Sequence, residues 1–147
     1  MANKNVLPVK VSIAADSSFP VSVRLASVGS IDGKTEAATN LYTVPTGKTA
    51  IITSIIARLS AASNVTQVAD IGVGVASGED DIIASATLTS IDTAGLYTGL
   101  SPAGAANQFA KSAVAADVIK VGVDTAATTT APEDVYTLVI DLFGYLI

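Results

Sequence analysis

Apolar and polar residues alternate with a period of two in short runs along most of the chain, and turn-forming clusters separate the runs. Val9, Val11 and Ile13 alternate with Lys10 and Ser12. Phe19, Val21, Val23 and Leu25 alternate with Pro20, Ser22 and Arg24. Ile119, Val121 and Val123 alternate with Lys120 and Gly122. Successive side chains on a β-strand point to opposite sides, so each such run buries one face and wets the other. Short runs at this spacing, broken by Gly, Pro, Asn and Asp, predict an all-β chain built as a sandwich or barrel.

The longest runs carry the most detail. In LYTVPTGKTAIITSIIARLS, Pro45 and Gly47 predict a tight corner, because proline fixes φ and glycine takes positive φ. Strict alternation after it places Ile51, Thr53, Ile55 and Leu59 on one face, with Ala50, Ile52, Ser54, Ile56 and Arg58 on the other. The closing VYTLVIDLFGYLI places Tyr136, Leu138, Ile140, Leu142 and Leu146 opposite Val135, Thr137, Val139, Asp141, Phe143 and Tyr145. Both strands are apolar on both sides. A two-layer sandwich covers one face only, so the second face needs a neighbouring subunit or a terminal arm over it. SVGSIDGKTEAATN and SAASNVTQ are expected as loops. The alanine-rich stretch 103–116 is the one place where a short helix is plausible. The expected fold is therefore a jelly-roll-like antiparallel β-sandwich of about eight to ten strands with an N-terminal arm. Residues 1–35 form the arm or accessory strands, and residues 36–147 form the sandwich.

Composition narrows the function. Charged residues make up only 14% of 147 residues while 50% are hydrophobic, which points to a surface covered in part by protein. Aromatics at 5% argue against a large aromatic-lined ligand pocket. The net charge of -5, with basic residues scattered singly, makes nucleic acid a poor partner. Cysteine and histidine are both absent. Disulfides, thiolate nucleophiles, the commonest general base and the commonest transition-metal ligand go with them. The start MANKNVLPVKV lacks a signal-peptide apolar core, and no run approaches a membrane span, so a protein made in the cytoplasm and independent of membranes is expected.

The stretch LYTVPTGKTAIITSI, the strand AADVIKVGVD and the terminal DLFGYLI resemble, in that order, a β-sandwich module of tailed-bacteriophage virion proteins. Ala116 stands where that module usually has glycine before Asp117. The resemblance covers roughly residues 39 to 147. It implies a virion component without catalytic residues, such as a head decoration (cement) protein on the capsid surface, a minor capsid protein, or a part of a tail or fibre. Such proteins are commonly trimers, and decoration proteins clamp neighbouring major capsid subunits. A fibre- or tail-associated module that binds a receptor or glycan is the alternative.

Candidate chemistry is sparse. Glu79, Asp80 and Asp81 form the densest acidic cluster, but no spaced calcium loop is present, and a solvated hairpin is the better reading. Thr46–Gly47–Lys48–Thr49 lacks the upstream glycine of a phosphate loop, since position 42 is Tyr42. Gly72 and Gly74 lie inside a strand and have no third glycine, which rejects dinucleotide binding. Lys48 and Lys111 are lone bases without an identifiable nucleophile partner. The chain lacks the histidine cluster of a cupin metal site. No enzyme, cofactor or metal is expected. The candidate subunit interface is Ile52, Ile56, Arg58, Val139, Phe143 and Tyr145. The candidate partner-binding arm carries Val6, Leu7, Val9 and Val11. The expected partners are further copies of the chain, as a homotrimer, and a major capsid or other virion protein.

Overall fold

The computed structural model describes residues 22–75, 79–102 and 111–147. Among them are eleven strands and no helix. In chain order these are β1 (Val23–Asp32), β2 (Ala38–Thr43), β3 (Ala50–Ala62), β4 (Val65–Gln67), β5 (Asp70–Gly74), β6 (Ile83–Thr87), β7 (Tyr97–Leu100), β8 (Lys111–Ala113), β9 (Val118–Thr125), β10 (Thr128–Thr129) and β11 (Tyr136–Leu146). They form an antiparallel β-sandwich. Sheet A has the order β1-β11-β3-β7, and β8 pairs the same free edge of β3 nearer its start. Sheet B has the order β2-β9-β5-β6, and β4 with β10 makes a short ribbon.

The two sheets meet over one apolar core. Sheet A supplies Ile52, Ile55, Leu59, Leu138, Ile140 and Leu142, and sheet B supplies Ile71, Val73, Ile119 and Val121, all fully buried. Tyr136 is buried with them, and its hydroxyl donates to the Ile91 carbonyl at 2.8 Å. A buried phenol needs such a partner. Burial pushes its pKa up to about 12.

The β9 and β11 runs alternate as their residues dictate. Ile119, Val121 and Val123 face inward, as do Tyr136, Leu138, Ile140 and Leu142. The Pro45–Lys48 corner forms too. Lys48 N–H donates to the Pro45 carbonyl at 3.1 Å, and Gly47 takes φ 74° at the third position of the turn. The C-terminus is tied in, because Thr49 and Ile147 exchange backbone hydrogen bonds of 2.9 Å.

Three expectations need correction. The two faces of β3 are not those of strict alternation. Phe143 pairs Ser54 and Gly144 pairs Ile52, so Thr53 is an extra residue in the ladder. The bulge reverses the parity. Ala50 and Ile52 therefore join Ile55, Ala57 and Leu59 in the core, while Ile51, Ile56 and Arg58 face outward. The segment 27–40 is not one loop. β1 continues to Asp32 through a bulge at Gly29 and Ser30, where Ser30 takes φ 60°. The segment 60–67 likewise holds the end of β3 and the whole of β4. Of the stretch expected to be helical, residues 103–110 lie outside the described residues and residues 111–113 are strand. β1 also gives residues 23–32 a full place in sheet A, along β11.

Candidate functional site

The two sheets differ in how their outward faces are finished. On sheet B, Gly72 of β5 stands opposite Gly122 of β9, and Gly74 stands opposite Lys120. The segment 79–81 lies directly on these glycines. A Cβ on Gly72 would stand 2.9 Å from the Glu79 carbonyl oxygen, and one on Gly122 would stand 3.1 Å from the Glu79 Cβ. One on Gly74 would collide with the Asp81 carboxylate. Asp81 accepts from the Val75 N–H at 2.8 Å, and Lys120 pairs with Glu79 at 3.7 Å. The acidic cluster singled out by the sequence is thus a cover over sheet B, seated where the strands carry no side chains. Among the described residues no group of three or more acidic side chains could hold a metal ion.

Sheet A has no such cover among the described residues. Its register lays out the outward face in rows. Tyr97, Arg58 and Val139 make one row across β7, β3 and β11. Gly99, Ile56, Asp141 and Ser27 make the next, extending to β1. Ser54, Phe143 and Arg24 follow, and Ile51 with Tyr145 close the face. Ile51, Ile56, Val139, Phe143 and Tyr145 are all half-buried, and Tyr97 is 69% exposed. This face brings together five of the six residues expected at a subunit interface: Ile56, Arg58, Val139, Phe143 and Tyr145. The sixth, Ile52, is fully buried in the chain's own core because of the Thr53 bulge. Tyr97 belongs to the face and was missed, since its strand is short and sits in a Gly- and Ala-rich stretch. The arm residues Val6, Leu7, Val9 and Val11 lie outside the described residues.

Asp141 is the polar centre of the face. Its side chain is 7% exposed although it points away from the core. Arg58 Nε donates to Oδ2 at 3.0 Å, and Arg24 Nη1 stands 3.6 Å from Oδ1. Among the described residues no hydrogen-bond donor meets Oδ1, and the Arg24 ion pair faces it. Burial alone would raise the Asp141 pKa. The Ser27 hydroxyl beside it and the two guanidiniums more than offset that, and the net shift is downward. The carboxylate therefore stays ionised and charge-compensated within an apolar surround.

A second polar knot lies at the end of the sandwich near Asp134. Asn64 Nδ2 and the Ala131 N–H each donate to its carboxylate at 2.9 Å, and the Lys34 ammonium donates to the carbonyls of Pro132 and Asp134. The Asn64 hydrogen bond leads the lowering of the Asp134 pKa. A shallow open groove runs beside it, lined by Ser30, Asp32, Lys34, Glu133 and Thr137 among others. Asp32, Lys34, Asn64 and Asp134 are engaged in loop contacts, which makes the knot a clasp between the turns at 32–35, 63–65 and 131–135.

No protein-family model and no curated protein matches the chain. Solved structures do. A chain in the capsid asymmetric unit of cyanophage Pam1 aligns with a TM-score of 0.51 at 16% identity, covering 94% of this chain and 99% of that one. A chain in the acid-stable capsid of Helicobacter pylori bacteriophage KHP30 aligns with a TM-score of 0.47 at 14% identity, covering 86% and 95%. The chain thus shares its β-sandwich fold with a chain of the Pam1 capsid structure.

Proposed function

We propose that this chain is a structural virion protein, a capsid decoration (cement) protein that self-associates as a homotrimer and clamps neighbouring major capsid subunits at the capsid surface. In this reading it carries out no catalysis, and its work is done by buried area. The feature that supports it most is the outward face of sheet A. Half-buried Ile51, Ile56, Val139, Phe143 and Tyr145 surround a carboxylate that already has its counter-charges. Covering such a face gains about 25 cal/mol for each Å² of apolar surface. It strands no lone charge, which is the usual cost of burying an acid. The fold shared with a chain of the Pam1 capsid points to the same setting. Head-to-tail contacts that close on themselves give rings, and a threefold ring matches the local symmetry of a capsid lattice. Light scattering at micromolar concentration tests the self-association: the mass of a trimer is expected, and a clean monomer would overturn it.

A further inference from the structure

The outward face of sheet A needs an occupant, and the described chain begins on that face. Ile52 and Ile55 are both buried, so Thr53 and Ser54 between them stand on the outward side of the bulge. The Ser22 hydroxyl is 2.7 Å from the Thr53 hydroxyl, although its neighbour Val23 pairs with Gly144 on β11. The chain therefore enters β1 from above the outward face, reaching across β11 to β3.

Direction and length say where the preceding residues go. β1 and β3 are both antiparallel to β11, so they run parallel to each other. Traced backwards from Val23, the chain heads for the Ala50 end of sheet A. Only about three residues of β3, roughly 10 Å, remain in that direction beyond Thr53. Ile13 is nine residues upstream of Ser22, and an extended chain carries it as far as about 30 Å away. The intervening length is thus enough for residues 6–13 to reach beyond their own sheet. Their sequence suits a cover, because Val9, Val11 and Ile13 present one apolar side while Lys10 and Ser12 present a wet one. Val6 and Leu7 extend the apolar content.

Building on the self-association proposed above, we infer that residues 6–13 of one copy lie across the outward face of sheet A of a neighbouring copy, over Ile56, Val139, Phe143 and Tyr145. The two halves of the candidate interface then form one exchanged contact. Each subunit gives an arm and receives one, which closes naturally in a ring.

Because the chain has no cysteine, introduced cysteines report cleanly. Single variants Leu7→Cys, Val9→Cys and Val11→Cys are each mixed with Val139→Cys and oxidised. A disulfide joining two copies is expected for at least one pair. The corresponding double variants should give linked oligomers under denaturing conditions, not internally bridged monomers. Removing residues 1–18 should abolish the oligomer while the remaining domain still melts cooperatively. Internal bridges alone would overturn the inference in favour of the chain roofing its own face. The absence of any bridge in a protein that light scattering shows to be oligomeric would overturn it while leaving the self-association standing. A shortened chain that stays oligomeric would do the same.

Discussion

At Ala116 the chain accepts a backbone conformation that its side chain disfavours. The turn from Ala113 to Asp117 is held by the Val114 N–H donating to the Asp117 carboxylate at 2.8 Å, and by hydrogen bonds between Val44 and both Ala116 and Asp117. Ala116 sits there at φ 70°. A glycine would take that φ without a Cβ clash. Ala116→Gly is therefore expected to raise stability by about 0.5–1 kcal/mol, the αL penalty less the added freedom of the unfolded chain, as read from a denaturant midpoint. Asp141 sets a second expectation. Its pKa is lowered in the fold, so its contribution is present above the ordinary value of 3.8 and is lost as pH falls through the lower folded value. Arg58→Ala should cost about 1 kcal/mol at neutral pH, given that the guanidinium is half exposed. That cost should start to shrink below pH 3.8 and be lost once pH falls through the lower folded value, where the native carboxyl is protonated, and thermal melts across pH check both halves. Tyr136 acts at the other extreme. Its stabilisation is complete below 10 and is lost as pH rises toward about 12. The alkaline loss amounts to about 2–3 kcal/mol, and it should vanish in Tyr136→Phe, at the cost of roughly 1 kcal/mol for the hydrogen bond to Ile91.

At the scale of strands, the readable elements are those whose alternation is unbroken. β9 and β11 follow their residues one by one, and the Pro45–Gly47 corner follows from the two residues that can make it. β3 reads correctly as a long two-sided strand, but its faces change over at Thr53, where Thr53 and Ser54 both oppose Phe143. An extra residue leaves no mark in composition, so the assignment of Ile52 to a contact surface failed while Ile56 and Arg58 kept their side. β1 outruns its readable alternation for a related reason. Gly29 and Ser30 look like loop residues because they form a bulge that carries the strand on to Asp32. The Glu79–Asp81 cluster reads as an exposed hairpin, yet its role is visible only once Gly72, Gly74 and Gly122 are seen beneath it. This gives a sharp expectation. Gly72→Ala puts a methyl 2.9 Å from a backbone carbonyl that has no rotamer to give way, so it should cost about 1–3 kcal/mol. Gly47→Ala has open space around it and should cost about 1 kcal/mol from the positive φ alone. Denaturant melts of the two variants separate steric from conformational cost.

At the scale of the whole molecule, the asymmetry between the faces organises the account. Sheet B closes itself with its own acidic segment, whereas sheet A presents an apolar face with an internally neutralised carboxylate. The low charge of the sequence and the two-sided strands made an apolar face beyond the core legible. Which residues make up that face depends on long-range register, and no single segment encodes that. Phe143→Glu would place a new carboxylate between Ile51 and Asp141 on that face without touching the core. It should dissociate the oligomer to monomers in light scattering while leaving the fold cooperative. The central claim is that these contacts reinforce a capsid. Its most direct test is the thermal disruption of expanded capsids of the parent phage, stripped of this protein and then titrated with it. Saturable binding with a rise in the capsid's melting temperature is the predicted result. Unchanged melting with no binding would contradict the account.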